Sequence, residues 1–391
     1  MTVPSHSKDS NDSRVSASGE DFGVKSKFIA KRRETVQEIW KVIEKYCVVL
    51  VHGTPCSGKS TLGYLVARHA RKRLKEPYDT VLISPWRPNP GEAAATVLRE
   101  ACTKQLPMRT FDQSITQRRV LFIIDDAQTT YSDTDLWNIY LKQCSNGNTP
   151  AKFLLLARYG STSKWKNELP MVTLWQPISS QQVFLRPPSL PNYPNISISF
   201  NITELTDAVR QHEREFNKHR LTNDAIEALF NVSSGHAGLV RSLLGIVFDE
   251  HEASFREDSI AEINAEAFML YISDTPALLM KICQRVVKRS LIWADSFEGF
   301  QLEHRDLVKR ILEQGPVIYD RNDENHAFLY QHGICQGHME RVRWHLSKPH
   351  EIISVVKVTP DSVAENTTYV GMGIWEGERI ILVFPTEIHA R

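Results

Sequence analysis

No apolar run in this chain approaches the ~20 residues that a membrane-spanning helix needs. The N-terminus also lacks the apolar h-region of a conventional secretion signal. Charge of one sign is absent too: 47 Lys and Arg against 46 Asp and Glu leave a net charge of +1. That balance exerts no global pull on nucleic acid or anionic lipid, so any such contact must come from a local patch. The six cysteines (Cys47, Cys56, Cys102, Cys144, Cys283, Cys335) fall at no framework spacing and read as reduced thiols. The expected setting is intracellular, cytoplasm or nucleus. What remains is an ordinary globular composition, 41% hydrophobic and 24% charged, over 391 residues. That length suits two or three domains better than one core.

Residues 1–24 are rich in Ser, Asp and Lys and are expected to be a disordered tail. From Lys27 to Tyr46, Val36, Ile39, Trp40 and Ile43 recur with helical spacing. Strand and helix signals then alternate in the manner of a parallel α/β sheet: strands at 47–51, 80–83, 120–125 and 153–157, helices at 92–106 and 136–144. A further strand is expected near 172–174 or 196–200, on either side of the proline-rich loop 186–191. After Phe200 strand signals disappear. Helices are expected at 202–218 (capped by Asn201), 222–230, 239–251, 265–271 and 275–290. The last hundred residues mix short helices (306–312, 326–330) with extended segments at 351–358, 368–370 and 380–384 and a turn at Glu376-Gly377. That order suggests a winged helix. The expected division is a core at 25–200, a helical lid at 201–262, and a connector with a winged-helix-like α+β domain at 263–391.

Residues 53–60 read Gly53-Thr54-Pro55-Cys56-Ser57-Gly58-Lys59-Ser60, a complete G-x-x-x-x-G-K-S phosphate loop, followed by Thr61. An apolar strand precedes it and a helix opens after it, the setting the motif requires. The glycines let consecutive N–H groups turn inward on phosphate oxygens, and the helix N-terminus adds its positive end. Lys59 is expected to reach the β/γ-phosphates and Ser60 to bind Mg²⁺. About 65 residues on, Val120–Ile124 is an apolar strand closed by Asp125 and Asp126, the form of a Walker B element. Ligands bind at the carboxyl ends of parallel strands, so Asp125 is expected to hold Mg²⁺ with Ser60 and Asp126 to orient or deprotonate water. Arg158 ends the next strand, where it could contact a γ-phosphate. Arg118 and Arg119 lie at the far end of the Walker B strand, roughly 20 Å away at ~3.3 Å per residue, unsuited to an arginine finger in cis.

The phosphate loop, the Phe122–Asp126 strand, the Leu154–Ser161 segment, the Ser234–Leu239 turn and the apparent winged helix together resemble the STAND branch of AAA-type ATPases. The chain is similar to fungal and oomycete P-loop ATPases, some of them attached to Crinkler-type effectors. There the Gly53–Thr61 loop recurs, with a looser match at Phe384–His389. The resemblance runs from about residue 28 to 391. It implies that Arg158 is the sensor arginine and that Gly235–Gly238 is the lid's G-x-P turn. Ala237 replaces the proline, and Gly238 stands where many relatives carry a second sensor arginine, which favours a switch over a full hydrolysis cycle. By the same analogy His389 would read a diphosphate, although a packed or solvated terminal histidine is the plainer reading.

The expectation is an ATP-binding, slowly hydrolysing switch ATPase (ATP and water to ADP and phosphate) with ATP/ADP and Mg²⁺ as cofactors. No guanine-selecting N-K-x-D follows the fourth strand, which favours ATP. Expected partners are a protein and, in the ATP state, further copies of the chain; nucleic acid is less favoured and no membrane contact is expected. The alternatives are a nucleic-acid-binding ATPase of the origin-recognition type and a small-molecule kinase. His332, Cys335, His338 and His345 lack the C-x₂-C partner of a zinc site. The basic runs at 25–33 and 71–75 read as solvated faces.

Overall fold

The computed structural model describes residues 29–73, 77–84, 86, 93–106, 119–158, 175–185, 192–216, 219–254 and 261–273. It adds isolated residues between 278 and 325 and the backbone of short strands between 317 and 385. The expected tail at 1–24, the strand option at 172–174, the loop 186–191, the helix 326–330, the extended segment 368–370 and His389 lie outside the described residues. So do Arg118, most of the 275–290 helix, and the side chains of Cys335, His338 and His345.

Four strands, β1 (Val48–His52), β2 (Asp79–Ile83), β3 (Val120–Asp125) and β4 (Lys152–Ala157), are near-continuous apolar runs. Such runs belong to a parallel sheet covered on both faces. With β5 (Gln182–Val183) they form a five-stranded parallel sheet in the order β2-β3-β4-β1-β5. Alternate side chains split between two cores. Val49, Val51, Ile123 and Leu154 pack under helices α1 (Arg33–Tyr46) and α2 (Lys59–Arg71). Val48, Leu50, Phe122 and Leu155 pack against α3 (Ala94–Gln105) and the π-helical turn Leu136–Leu141. The apolar face predicted for α1 is the buried one. This is the P-loop α/β fold.

The fifth strand is a correction. It is Gln182–Val183, held beside β1 by the buried Gln181, whose amide donates to Val48 O at 3.1 Å. Residues 196–200, one of the two expected positions, only flank it: Ile198 N donates to Phe184 O at 3.2 Å.

A third core lies in the helical region after Phe200, where Leu205, Leu229, Leu243, Val247 and Phe268 join helices α4 (Ile202–Phe216), α5 (Asn223–Ser233), α6 (Ala237–Ser254) and α7 (Ala265–Ser273). The Asn201 cap is present: its Oδ1 accepts Glu204 N at 2.8 Å. Strand structure does not vanish here as expected. β6 (His219–Leu221) pairs in parallel with β7 (Ala261–Ile263), and the Glu213 carboxylate accepts Leu221 N at 2.8 Å.

The N-terminus of α1 is tied to the segment 198–204 by Arg32, which takes a left-handed φ of 46°. Its buried guanidinium donates to Ile198 O (2.9 Å), Ser199 O (3.2 Å) and Glu204 Oε2 (3.1 Å), and lies over the Phe200 ring. Thr35 Oγ1 donates to the other Glu204 oxygen at 2.6 Å. Burial lowers the Arg32 pKa, and Glu204 opposes that.

In the C-terminal part the described strands form two three-stranded antiparallel sheets, more strand than the three extended segments expected from the sequence. β8 (Val317–Ile318), β9 (Cys335–His338) and β10 (Arg343–Leu346) form one; β11 (Ile352–Val358), β12 (Ile374–Glu376) and β13 (Arg379–Pro385) form the other. Glu376 pairs with Arg379, which places the connection where the Gly377 turn is predicted. No helix among the described residues is long and apolar enough to cross a membrane.

Candidate functional site

β1 delivers the chain to Gly53 at the carboxyl edge of the sheet, where Gly53 N donates to Ala157 O at the end of β4 (3.1 Å). A side chain at Gly53 would collide with Ile198 Cδ1 and Ser57 Oγ. The loop then curls through left-handed Cys56 (φ 60°) and Gly58 (φ 90°) before α2 begins at Lys59. Lys59 is buried and folds back, its Nζ donating to Gly53 O (2.9 Å) and Thr54 O (2.8 Å). Burial lowers its pKa to about 8, against the pull of Asp125 and Asp126. Ser57 Oγ is buried with no hydrogen-bond partner among the described residues. An orphaned hydroxyl is costly unless a ligand satisfies it, and a phosphate oxygen is an acceptor of the right kind.

Ser60 Oγ donates to Asp125 Oδ2 at 2.6 Å, bringing together the two residues predicted to share a metal. Burial raises the Asp125 pKa, and the Ser60 bond opposes this. A hydroxyl and a carboxylate are hard oxygen donors that suit Mg²⁺. Asp126 follows in the left-handed region, φ 53°. Strand β4 lies between β1 and β3, so Arg158 emerges between the phosphate loop and the acid pair. Its Nε lies 3.8 Å from Asp126 Oδ1, both side chains about half exposed. Arg119 is at the opposite end of β3, over the Tyr78 ring, as its sequence position predicts. Lys59, Ser60, Asp125, Asp126 and Arg158 thus gather at one sheet edge.

The turn between α5 and α6 reaches the same place. His236 Nδ1 accepts Leu239 N (3.3 Å), which leaves its Nε2–H to donate to Thr54 Oγ1 of the loop (3.0 Å). A Cβ on Gly238 would sit 2.7 Å from Cys56 O, and one on Gly58 3.2 Å from Ala237 Cβ. The Gly235–Gly238 turn therefore rests directly on Thr54, Cys56 and Gly58.

Three participants were missed in the sequence. Gln128 donates through Nε2 to Asp126 Oδ1 (2.9 Å) and accepts Arg158 N on Oε1 (3.0 Å). His236 is a residue of the singled-out turn without a role of its own in the motif. His52, the last residue of β1, stacks on Phe184 at 4.9 Å, and burial lowers its pKa to about 4. A polar residue two places past an acid pair, or at a strand's end, is too common to have drawn notice.

The sequence matches no protein-family model and no curated protein. Solved structures with a similar fold include the RuvB Holliday junction branch migration motor of Thermotoga maritima (14% identity, 79% of this chain and 90% of that one, TM-score 0.36). A Walker-type ATPase of Pyrococcus abyssi is similar at 13% identity over 84% and 97% of the chains, TM-score 0.42. Drosophila ORC bound to DNA is similar at 12% over 83% and 90%, TM-score 0.37. Likenesses this distant carry no argument about function.

Proposed function

We propose that this chain is an ATP-binding, slowly hydrolysing switch ATPase of the STAND/AAA-like kind. In this proposal a core at 25–200 carries the nucleotide, a lid at 201–262 closes on it, and the winged-helix-like region at 263–391 relays its state to a protein partner or further copies of the chain. The observation that supports it most is the lid turn resting on the phosphate loop, through the Thr54–His236 hydrogen bond and the Gly238–Cys56 contact. A ligand that rearranges the loop must disturb the lid, which is the coupling a switch requires.

Residues 53–61 would bind the phosphates, with Lys59 leaving its two carbonyls to meet the β/γ-oxygens. Phosphate charge restores the favourable setting that burial denies the ammonium. Ser60 and Asp125 would hold Mg²⁺, which when bound neutralises phosphate charge. Asp126 would accept the proton of the attacking water, and Arg158 would move from Asp126 to the γ-phosphate. In the structure Arg158 faces Asp126 and must leave it before it can meet a γ-phosphate, consistent with slow turnover.

The test is to release and identify any copurified nucleotide and then measure single-turnover hydrolysis of added ATP. The expected result is bound ADP, slow release of phosphate, and no nucleotide binding by Lys59→Ala. Full nucleotide affinity in Lys59→Ala would end the proposal. Tight DNA binding that weakens steeply with salt would favour the origin-recognition alternative instead.

A further inference from the structure

We infer that Gln128 is a positioning residue for the water that attacks the γ-phosphate, an inference that rests on the ATPase reading. Both ends of its amide are used. Nε2 donates to Asp126 Oδ1 at 2.9 Å, and Oε1 accepts the backbone N–H of Arg158 at 3.0 Å. One side chain thus ties the tip of β3 to the tip of β4, across the edge where the phosphates would lie.

The tie selects which carboxylate oxygen can work. Oδ1 is taken by Gln128 and faced by the Arg158 guanidinium. Oδ2 has no partner among the described residues, so it is the oxygen left for a water. The backbone reinforces this choice: left-handed Asp126 is followed by the 3₁₀ turn Ala127–Thr130, in which Thr129 N and Thr129 Oγ1 both donate to Asp126 O at 2.9 Å. Gln128 is the first polar side chain of that turn, and its position sets Asp126 and Arg158 together.

In the reaction, water oxygen bonds to the γ-phosphorus as the bond to the β–γ bridging oxygen breaks. ADP departs with that electron pair, and a water proton passes to Asp126 Oδ2. Gln128 touches neither water nor phosphate and acts only by holding Oδ1 and Arg158. A base misplaced by about 1 Å can lose on the order of 100-fold, and losing one of several restraints should cost about tenfold.

Methionine matches glutamine in length but neither donates nor accepts as an amide does. Gln128→Met should therefore lower kcat about tenfold with KM for ATP and ADP affinity unchanged. Gln128→Glu, which keeps an acceptor for Arg158 N but sets a carboxylate against Asp126, should lose at least as much. In an Asp126→Asn background Gln128→Met should add no further loss, because the base through which it acts is gone. Wild-type kcat in Gln128→Met, a loss confined to KM, or full additivity with Asp126→Asn would each overturn the inference while leaving the ATPase reading intact. A wild-type chain that binds ATP but never turns it over would overturn both.

Discussion

Replacing Gly238 by alanine tests the seat of the lid directly. The added Cβ would lie 2.7 Å from Cys56 O and 2.8 Å from Cys56 Cβ. The first is a backbone atom of a residue already held at φ 60°, so it cannot swing aside as a side-chain tip would. Overpacking of this kind costs about 1–3 kcal/mol. Against it stands the higher helix propensity of alanine, worth about 1 kcal/mol, since Gly238 lies in the first turn of α6. That gain is the same whether the turn is seated or lifted, so it cancels from the seating equilibrium and helps only the folding of the lid. The expected outcome is a split. Thermal stability should stay near wild type, while the seated state loses about 5–150-fold relative to the lifted one. Stopped-flow release of a fluorescent ADP should accelerate accordingly, and amide exchange at 236–239 should rise. Wild-type release and exchange in Gly238→Ala would refute the idea that this contact controls access to the loop.

Two further predictions concern stability. The folded-state pKa of His52 is about 4, below its ordinary 6.5, so between those values the unfolded chain binds more protons. Its contribution is complete above pH 6.5 and lost as pH falls toward 4; His52→Gln should flatten that acid decline relative to wild type in urea midpoints at pH 7 and 4.5, and parallel declines would count against it. Glu204→Ala strands the buried Arg32 guanidinium and the Thr35 hydroxyl, and should cost about 3–5 kcal/mol in urea unfolding; a loss below about 1 kcal/mol, the range of an exposed pair, would contradict the buried geometry.

The nucleotide edge was legible in the sequence because each part has a local signature. A run of valines and leucine precedes a glycine-rich loop, and an apolar strand closes on two acids. The proximity of Ser60 to Asp125 followed from the rule that parallel strands present ligands at their carboxyl ends. Strand β5 was not legible, because two residues carry no period and its anchor is the buried amide of Gln181. Strands β6 and β7 escaped for the same reason: His219-Arg220-Leu221 and Ala261-Glu262-Ile263 have no apolar run. Their pairing depends on Glu213 and on Thr222, whose N–H donates to Ile263 O. Gln128 and Arg32 act through side-chain geometry across distance, which no window of sequence contains.

Arg32 also constrains the order in which the molecule can be completed. Its hydrogen-bond acceptors, from Ser197 O to Glu204, lie 165 to 172 residues further along the chain. A ribosome adding about 5–20 residues each second needs roughly 10–30 s to supply them. Through that interval the guanidinium must remain hydrated, and α1 must hold its register without its N-terminal anchor. Strands β1 to β4 can pair meanwhile, leaving β1 with a bare edge until Gln182 and Val183 emerge to cover it. A nascent chain stalled before residue 182 would therefore present a nearly finished sheet with the β1 edge open to other strands, and one stalled between 183 and 197 would have that edge covered while Arg32 still lacked its acceptors.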